Sequence, residues 1–165
     1  MDSGWREFAN MLEYNKMDVD FAQLFECHCQ MGWSGVKPGV KTIIENPYDH
    51  LVINIDHDHL GKVIEKLCVN SVYNTDEGVI RAKYEYRHGE LTISIEDTSA
   101  GIDAEALPHV FDRFMRDGEE RSGTGLDLPI VQALVQQMGG SIEIQSELGK
   151  GTSVWVIIPC EAKTI

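Results

Sequence analysis

Apolar residues recur along this chain in two rhythms, one close to every third or fourth position and one at every second. The first rhythm begins at Asp20. Asp20 and Gln23 are spaced as a capping box, and Leu24, Phe25, His28 and Met31 continue an apolar-leaning stripe to about Val36. Lys37-Pro38-Gly39 then stops the predicted helix. Val40–Glu45 and Leu51–Ile55 are β-branched runs separated by Asn46-Pro47-Tyr48-Asp49, and they read as two strands. Leu60, Val63, Ile64, Leu67, Cys68, Ser71 and Val72 return to helical spacing, with Asp56 or Asp58 as the cap. Val79–Tyr86 and Leu91–Glu96 read as strands joined through Arg87-His88-Gly89-Glu90, the second alternating strictly. A short helix from about Asp103 carries Val110, Phe111 and Phe114, and the polar, glycine-punctuated stretch 116–125 reads as a mobile loop. A third long helix turns Leu128, Val131, Leu134, Val135 and Met138 inward and ends at Gly139-Gly140. Ser141–Ile144 and Ser153–Ile158 close the pattern as a hairpin. The sum predicts an α/β (α+β) two-layer sandwich: three long helices on one face of a mixed, mainly antiparallel sheet of about six strands. Residues 5–16 read as the frayed end of a helix belonging to something upstream. The boundaries are then 1–17 for that remnant, 18–160 for the domain and 161–165 for a tail.

Length and charge narrow the possibilities. The 165 residues suit one domain with a real core. The formal net charge of −13 argues against a nucleic-acid backbone or an anionic membrane as the main partner. No apolar run of membrane-spanning length occurs, and the start lacks the basic and apolar regions of a signal peptide. Cys27, Cys29, Cys68 and Cys160 lack the clustering of a metal site and read as free thiols of a cytoplasmic domain.

Four groups of residues could carry chemistry. Lys66, Asn70, Tyr73 and Asn74 make a polar stripe along the second helix, in which an Asn carbonyl suits a hard cation. The alternative is a solvated helix edge. Asp97 ends the alternating strand before Thr98-Ser99-Ala100-Gly101, small residues that admit a flat ligand, or simply a turn. Gly123-Thr124-Gly125-Leu126 precedes a helix, where backbone N–H groups favour phosphate, unless it is only a connector. Gly149-Lys150-Gly151-Thr152 is by itself an ordinary hairpin turn. Asp56-His57-Asp58-His59 could be read as a metal site, but a capped helix start explains it.

The order and spacing of these groups resemble one family over residues 18–159: the catalytic ATP-binding domain of sensor histidine kinases, of the GHKL superfamily. Residues 66–75 resemble its N box, 97–102 its G1 box, 110–114 its F box and 123–128 its G2 box, and 139–152 resemble its ending. The resemblance implies a Bergerat-type fold and the cofactors ATP and Mg²⁺. It implies that Asn70 holds Mg²⁺ and that Asp97 accepts the adenine amino group. Gly101 would let the base approach, Gly123, Thr124, Gly125 and Leu126 would line the phosphates, and Thr152 would sit near adenine. Residues 115–124 would form a short lid, with Arg113, Arg116 and Arg121 as candidates to meet phosphate. The implied activity is histidine protein kinase, donating the γ-phosphate to a histidine on an upstream dimerisation domain. The implied partner is the receiver domain of a response regulator, in a full-length homodimer compatible with an inner-membrane anchor.

Several positions depart from that pattern. Lys66 stands where Asn or Glu is usual, so hydrolysis by a general base is not expected; one helical turn before Asn70, it could supply charge that Tyr73 does not. Tyr73 replaces a cation and Ser99 the first glycine of the G1 box. Asp127 replaces a glycine at a helix start, and reads either as a phosphate mimic that inhibits the site or as a plain N-cap. None of the six histidines has the surroundings of a phosphoacceptor. The competing reading is therefore a degenerate GHKL domain that signals through contacts. A GHKL kinase acting on serine is a third.

Overall fold

A computed structural model of the chain describes residues 15–101, 104–109 and 128–164. Among them are strand β1 (Met17–Asp20), helix α1 (Phe21–Gly32), β2 (Val40–Glu45), β3 (Val52–Ile55), helix α2 (His57–Asn74), β4 (Gly78–Arg87) and β5 (Glu90–Asp97). A 3-10 turn at Leu107–His109, helix α3 (Leu128–Gln137), β6 (Ser141–Glu147), β7 (Gly151–Pro159) and β8 (Glu161–Thr164) follow. The strands form two sheets. A five-stranded mixed sheet has the order β2-β4-β5-β7-β6, with only β2 and β4 parallel. A three-stranded antiparallel sheet has the order β1-β3-β8. Helix α2 packs between α1 and α3, over β5. The result is the predicted α/β sandwich of three helices on a mainly antiparallel sheet.

The alternation of β5 places the core. Leu91, Ile93 and Ile95 are buried, and opposite them lie Ile158, Val156 and Val154 of β7 and Tyr86, Tyr84 and Ala82 of β4. The inward side chains meet Leu60, Val63, Ile64 and Leu67 of α2 and Val131, Leu134 and Val135 of α3 in one apolar cluster. The α2 and α3 faces are those the sequence spacing predicts. At the α2 start, Asp56 Oδ1 accepts the amides of Asp58 and His59, both at 3.0 Å, so the capped-helix reading of this His-containing segment holds. Gly139 (φ +80°) ends α3 in a Schellman motif: the Gly140 amide reaches Val135 O at 2.9 Å and the Gly139 amide reaches Gln136 O at 3.0 Å.

Four expectations are corrected. Helix α1 ends at Gly32 rather than near Val36, because Trp33 turns into the core. Its buried stripe is Phe21, Ala22, Phe25, Cys29 and Gly32, while Met31 is exposed. Phe21 and Phe25 meet the Tyr84 ring edge-on at 4.7 and 4.8 Å, and that contact sets the helix rotation. Asp20 occupies the cap position without capping. Its carboxylate accepts the Leu51 amide at 3.0 Å and the His50 Nδ1–H at 2.8 Å, tying the α1 start to β3. Finally, in place of one sheet of about six strands there are two: the strands read at 40–45 and 51–55 lie in different sheets, and residues 17–20 and 161–164, not read as strands, pair on either side of β3. The short helix from Asp103, the F box and the remnant at 5–16 fall wholly or largely outside the described residues.

Candidate functional site

Asp97 is buried because of where it falls in an alternating strand. It has the parity of Leu91, Ile93 and Ile95, so it lies on the core side of the sheet, at the last rung. Its neighbours on that rung are Ile80 of β4 and Thr152 of β7, and Thr152 is itself buried. Asp97 Oδ1 accepts the Ser99 amide at 3.0 Å. Burial pushes the Asp97 carboxyl above the usual carboxylate range, against the lowering effect of Ser99 and of the Thr152 amide. Thr152 Oγ1 shares a hydrogen bond with Ser146 Oγ at 2.8 Å.

Asn70 is placed by the same logic on a helix. It follows Val63 and Leu67 at intervals of seven and three, within the buried stripe of α2. The sequence reading put it on a polar stripe beside that face. The structure instead buries it to 5% exposure, and its Oδ1 has no hydrogen-bond partner. Tyr73 is exposed at 48%, whereas Lys66 is half-buried and holds an interaction within the chain.

A cleft of about 220 Å³ lies between the end of α2 and the turn after β5, lined by Tyr73, Asn74, Asp76, Ser99, Gly101 and Thr152, with Ala100. Three residues singled out from the sequence as binding residues, Tyr73, Gly101 and Thr152, thus meet at one cleft. Asp97 is next to it through Ser99 and Thr152, and Asn70 is one helical turn from Asn74. The sequence reading grouped Asn74 with Asn70 in one polar stripe and Ser99 and Ala100 among the small residues after Asp97, without giving any of the three a binding role of its own, and it did not single out Asp76. For Asn74, the signal lay in its spacing of four from Asn70. Gly123, Thr124, Gly125, Leu126 and Asp127, like the three arginines, lie outside the described residues.

The 97–101 turn is held on both sides. The Thr98 amide donates to Val79 O at 3.1 Å, and Thr98 Oγ1 accepts the Val79 amide at 3.0 Å. On the other side, the Gly149 amide donates to Ala100 O at 2.7 Å. Gly101 has φ +87°, and a Cβ there would stand 2.2 Å from the Glu147 carbonyl oxygen. Its missing side chain therefore serves the packing of the β6–β7 hairpin as well as the cleft.

A larger groove, about 660 Å³, is lined by Lys16, Asn54, Gly89, Met138, Pro159 and Cys160 among others. It lies at the opposite end of β5, about 25 Å from Asp97, and holds none of the residues above. Among the described residues no group of three or more His, Cys, Asp or Glu could hold a metal, and no helix is long and apolar enough to cross a membrane.

Residues 55–162 match the family model described as histidine kinase-, DNA gyrase B-, and HSP90-like ATPase. The chain is 30% identical over 160 residues to the sensor histidine kinase YclK of Bacillus subtilis, covering 94% of this chain and 34% of that protein. It is 36% identical over 113 residues to the sensor protein SrrB of Staphylococcus aureus, covering 66% of this chain and 19% of that one. The chain thus spans about a third or less of these relatives. Full-length ShkA in complex with AMPPNP has the same fold, with a TM-score of 0.78 at 22% identity over 96% of this chain and 35% of that chain. The catalytic domain of the histidine kinase ThkA superposes with a TM-score of 0.74 at 19% identity, over 89% of this chain and 95% of that one.

Proposed function

The chain belongs to the histidine kinase-, DNA gyrase B- and HSP90-like ATPase family, and from that premise we propose that it binds Mg-ATP and donates the γ-phosphate to a histidine on a separate dimerisation domain. The observation that carries this reading is that two polar groups, Asp97 and Asn70, are buried at the ends of apolar rows next to one cleft. Polar groups in such positions destabilise the free protein unless a ligand uses them.

Asp97, ionised, accepts the exocyclic amino group of adenine, and Thr152 borders the base. Gly101 and its neighbours bring the backbone close to the ring. The buried, unpartnered Oδ1 of Asn70 is a neutral hard oxygen of the kind Mg²⁺ takes, so the residue present fits the ion. Asn70 would hold Mg²⁺, which neutralises charge on the triphosphate. Lys66, one turn earlier on α2, adds positive charge toward the phosphates, and Tyr73 flanks them. The backbone N–H groups of Gly123, Thr124, Gly125 and Leu126 line the phosphates. Catalysis consists of positioning and charge neutralisation. The acceptor imidazole nitrogen forms the new P–N bond, the bond from the γ-phosphorus to the bridging oxygen breaks, and ADP leaves. In this reading the partners are the dimerisation domain, in a homodimer, and a response-regulator receiver domain.

Thermal melting with Mg²⁺ and a non-hydrolysable ATP analogue tests the binding step. Ligand at a hundred times its Kd stabilises the fold by about 2.7 kcal/mol, a clear rise in Tm. No rise at millimolar ligand would leave the degenerate, contact-signalling domain as the better reading. Phosphotransfer is tested by adding the histidine-bearing domain and following γ-phosphate label onto an acid-labile phosphohistidine.

A further inference from the structure

Ser99 is buried to 9% exposure in the turn that follows Asp97. The sequence comparison presents it as a replaced glycine, a loss of backbone freedom. Its hydroxyl adds to the backbone a contact that no glycine could supply. Its amide donates to Asp97 Oδ1 at 3.0 Å, and its Oγ accepts the Gly101 amide at 3.2 Å. Two consecutive side-chain-closed turns therefore span residues 97–101, the first closed by Asp97 and the second by Ser99. With its lone pair engaged by Gly101, the Ser99 hydroxyl keeps its own proton to donate.

We propose that Ser99 is a positioning residue of the nucleotide site, linking the Asp97 carboxylate to the Gly101 amide so that the turn is set before the base arrives. The proposal rests on the nucleotide-binding reading above. It assigns a purpose to a position where this chain departs from the pattern it resembles. A turn fixed in advance spares the ordering entropy that a glycine loop loses on binding. The same hydroxyl works against the desolvation of Asp97: the Ser99 side chain lowers the carboxyl's pKa while burial raises it. On either side of Asp97 in the sheet stand Ile80 and Thr152, neither of which carries a charge. Among the described residues, the other titratable groups on the cleft are Tyr73 and Asp76, and Asp76 pairs with Lys37.

The test compares the wild-type chain with Ser99→Ala and Ser99→Thr. Calorimetry with Mg²⁺ and adenylyl imidodiphosphate is run from pH 5 to pH 8, after melting curves show that each variant folds. The nucleotide's own ionisation is common to all three proteins and cancels in the ratio of affinities. Ser99→Ala should bind up to about tenfold more weakly at pH 7, the scale of one hydrogen bond. Its affinity should also begin to fall at a higher pH on acidification, because Asp97 protonates earlier. Ser99→Thr, which keeps the hydroxyl, should recover most of both. In the ligand-free protein, the carboxyl carbon of Asp97 should titrate at a higher pH in Ser99→Ala than in wild type by NMR. Equal affinity and an equal acid limb in wild type and Ser99→Ala would overturn the role of Ser99 and leave the functional reading standing. A wild-type chain that binds no nucleotide overturns both. A uniform loss at every pH, with no change in the Asp97 titration, reduces Ser99 to packing and overturns the proposal as well.

Discussion

Asp97 and Asn70 show how a single residue can be right for a site and wrong for a core. Each sits where the local rhythm calls for an apolar side chain, and each is buried. The amide oxygen of Asn70 is left without a partner, an arrangement that costs roughly 1–3 kcal/mol. Asp97 is held above its ordinary pKa of 3.8 by burial. The folded protein therefore binds this proton more tightly than the unfolded chain does. The carboxyl's contribution to stability is fully present below pH 3.8, is lost as pH rises through the raised value, and is a net cost at pH 7. Asp97→Asn removes that cost. The ligand-free variant should melt above wild type at pH 7, and the gap should close as pH falls toward 4. Its affinity for Mg-nucleotide should drop by roughly 10- to 100-fold, the scale of a hydrogen bond to a charged group. A variant that melts below wild type at pH 7 would show that the carboxylate supports the fold instead.

At the scale of elements, the site is made by strand ends locking onto one another. The turn after β5 is clamped to the start of β4 by Thr98 and to the β6–β7 hairpin by Ala100. Glycines allow the close approaches. A Cβ at Gly151 (φ +97°) would stand 2.1 Å from Asp97 O, and one at Gly101 would meet Glu147 O at 2.2 Å. Gly101→Ala therefore combines backbone strain of about 1–3 kcal/mol with a collision that the hairpin must move to relieve. Urea unfolding should show a lower midpoint with an unchanged slope. Binding should weaken further than stability does, because the hairpin carries Thr152. An Ala variant as stable as wild type would mean that hairpin and turn move freely against each other.

At the scale of the whole molecule, the net charge of −13 is the dominant long-range fact. Like charges repel in the compact state, and added salt screens them within about 10 Å at 0.1 M. The ligand-free protein should thus melt at a higher temperature in 0.2 M sodium chloride than in 0.01 M. A fall in Tm with salt would mean that its ion pairs outweigh the repulsion, which their exposure argues against. Pairs such as Arg81–Glu45 at 3.4 Å and Lys83–Glu96 at 3.5 Å are solvent-accessible, and such pairs contribute little. An acidic domain can still take an anionic nucleotide, because the contacts that hold phosphate in this reading are backbone N–H groups, a bound cation and Lys66 rather than the overall field.

The sequence by itself determined the elements with strong rhythm, because burial on one face leaves a period that can be read residue by residue. The stripes of α2 and α3, the alternation of β5 and the turns at His88-Gly89 and Gly139-Gly140 are of this kind. The order of motifs from Lys66 to Thr152 also determined the family. Tertiary structure decided what depends on contacts between distant segments. It decided that Asp20 bonds to Leu51 instead of capping its helix, and that Tyr84 sets which face of α1 is buried. It also decided that 17–20 and 161–164 complete a second sheet around β3. Such pairings leave no local period, since each partner strand looks adequate without the other. The site divides in the same way. Asp97 and Thr152 could be named from the sequence, but that they share one rung of the core follows only from the β5–β7 register. Ser99 appeared as a lost glycine until the fold joined its hydroxyl to the Gly101 amide and its own amide to Asp97.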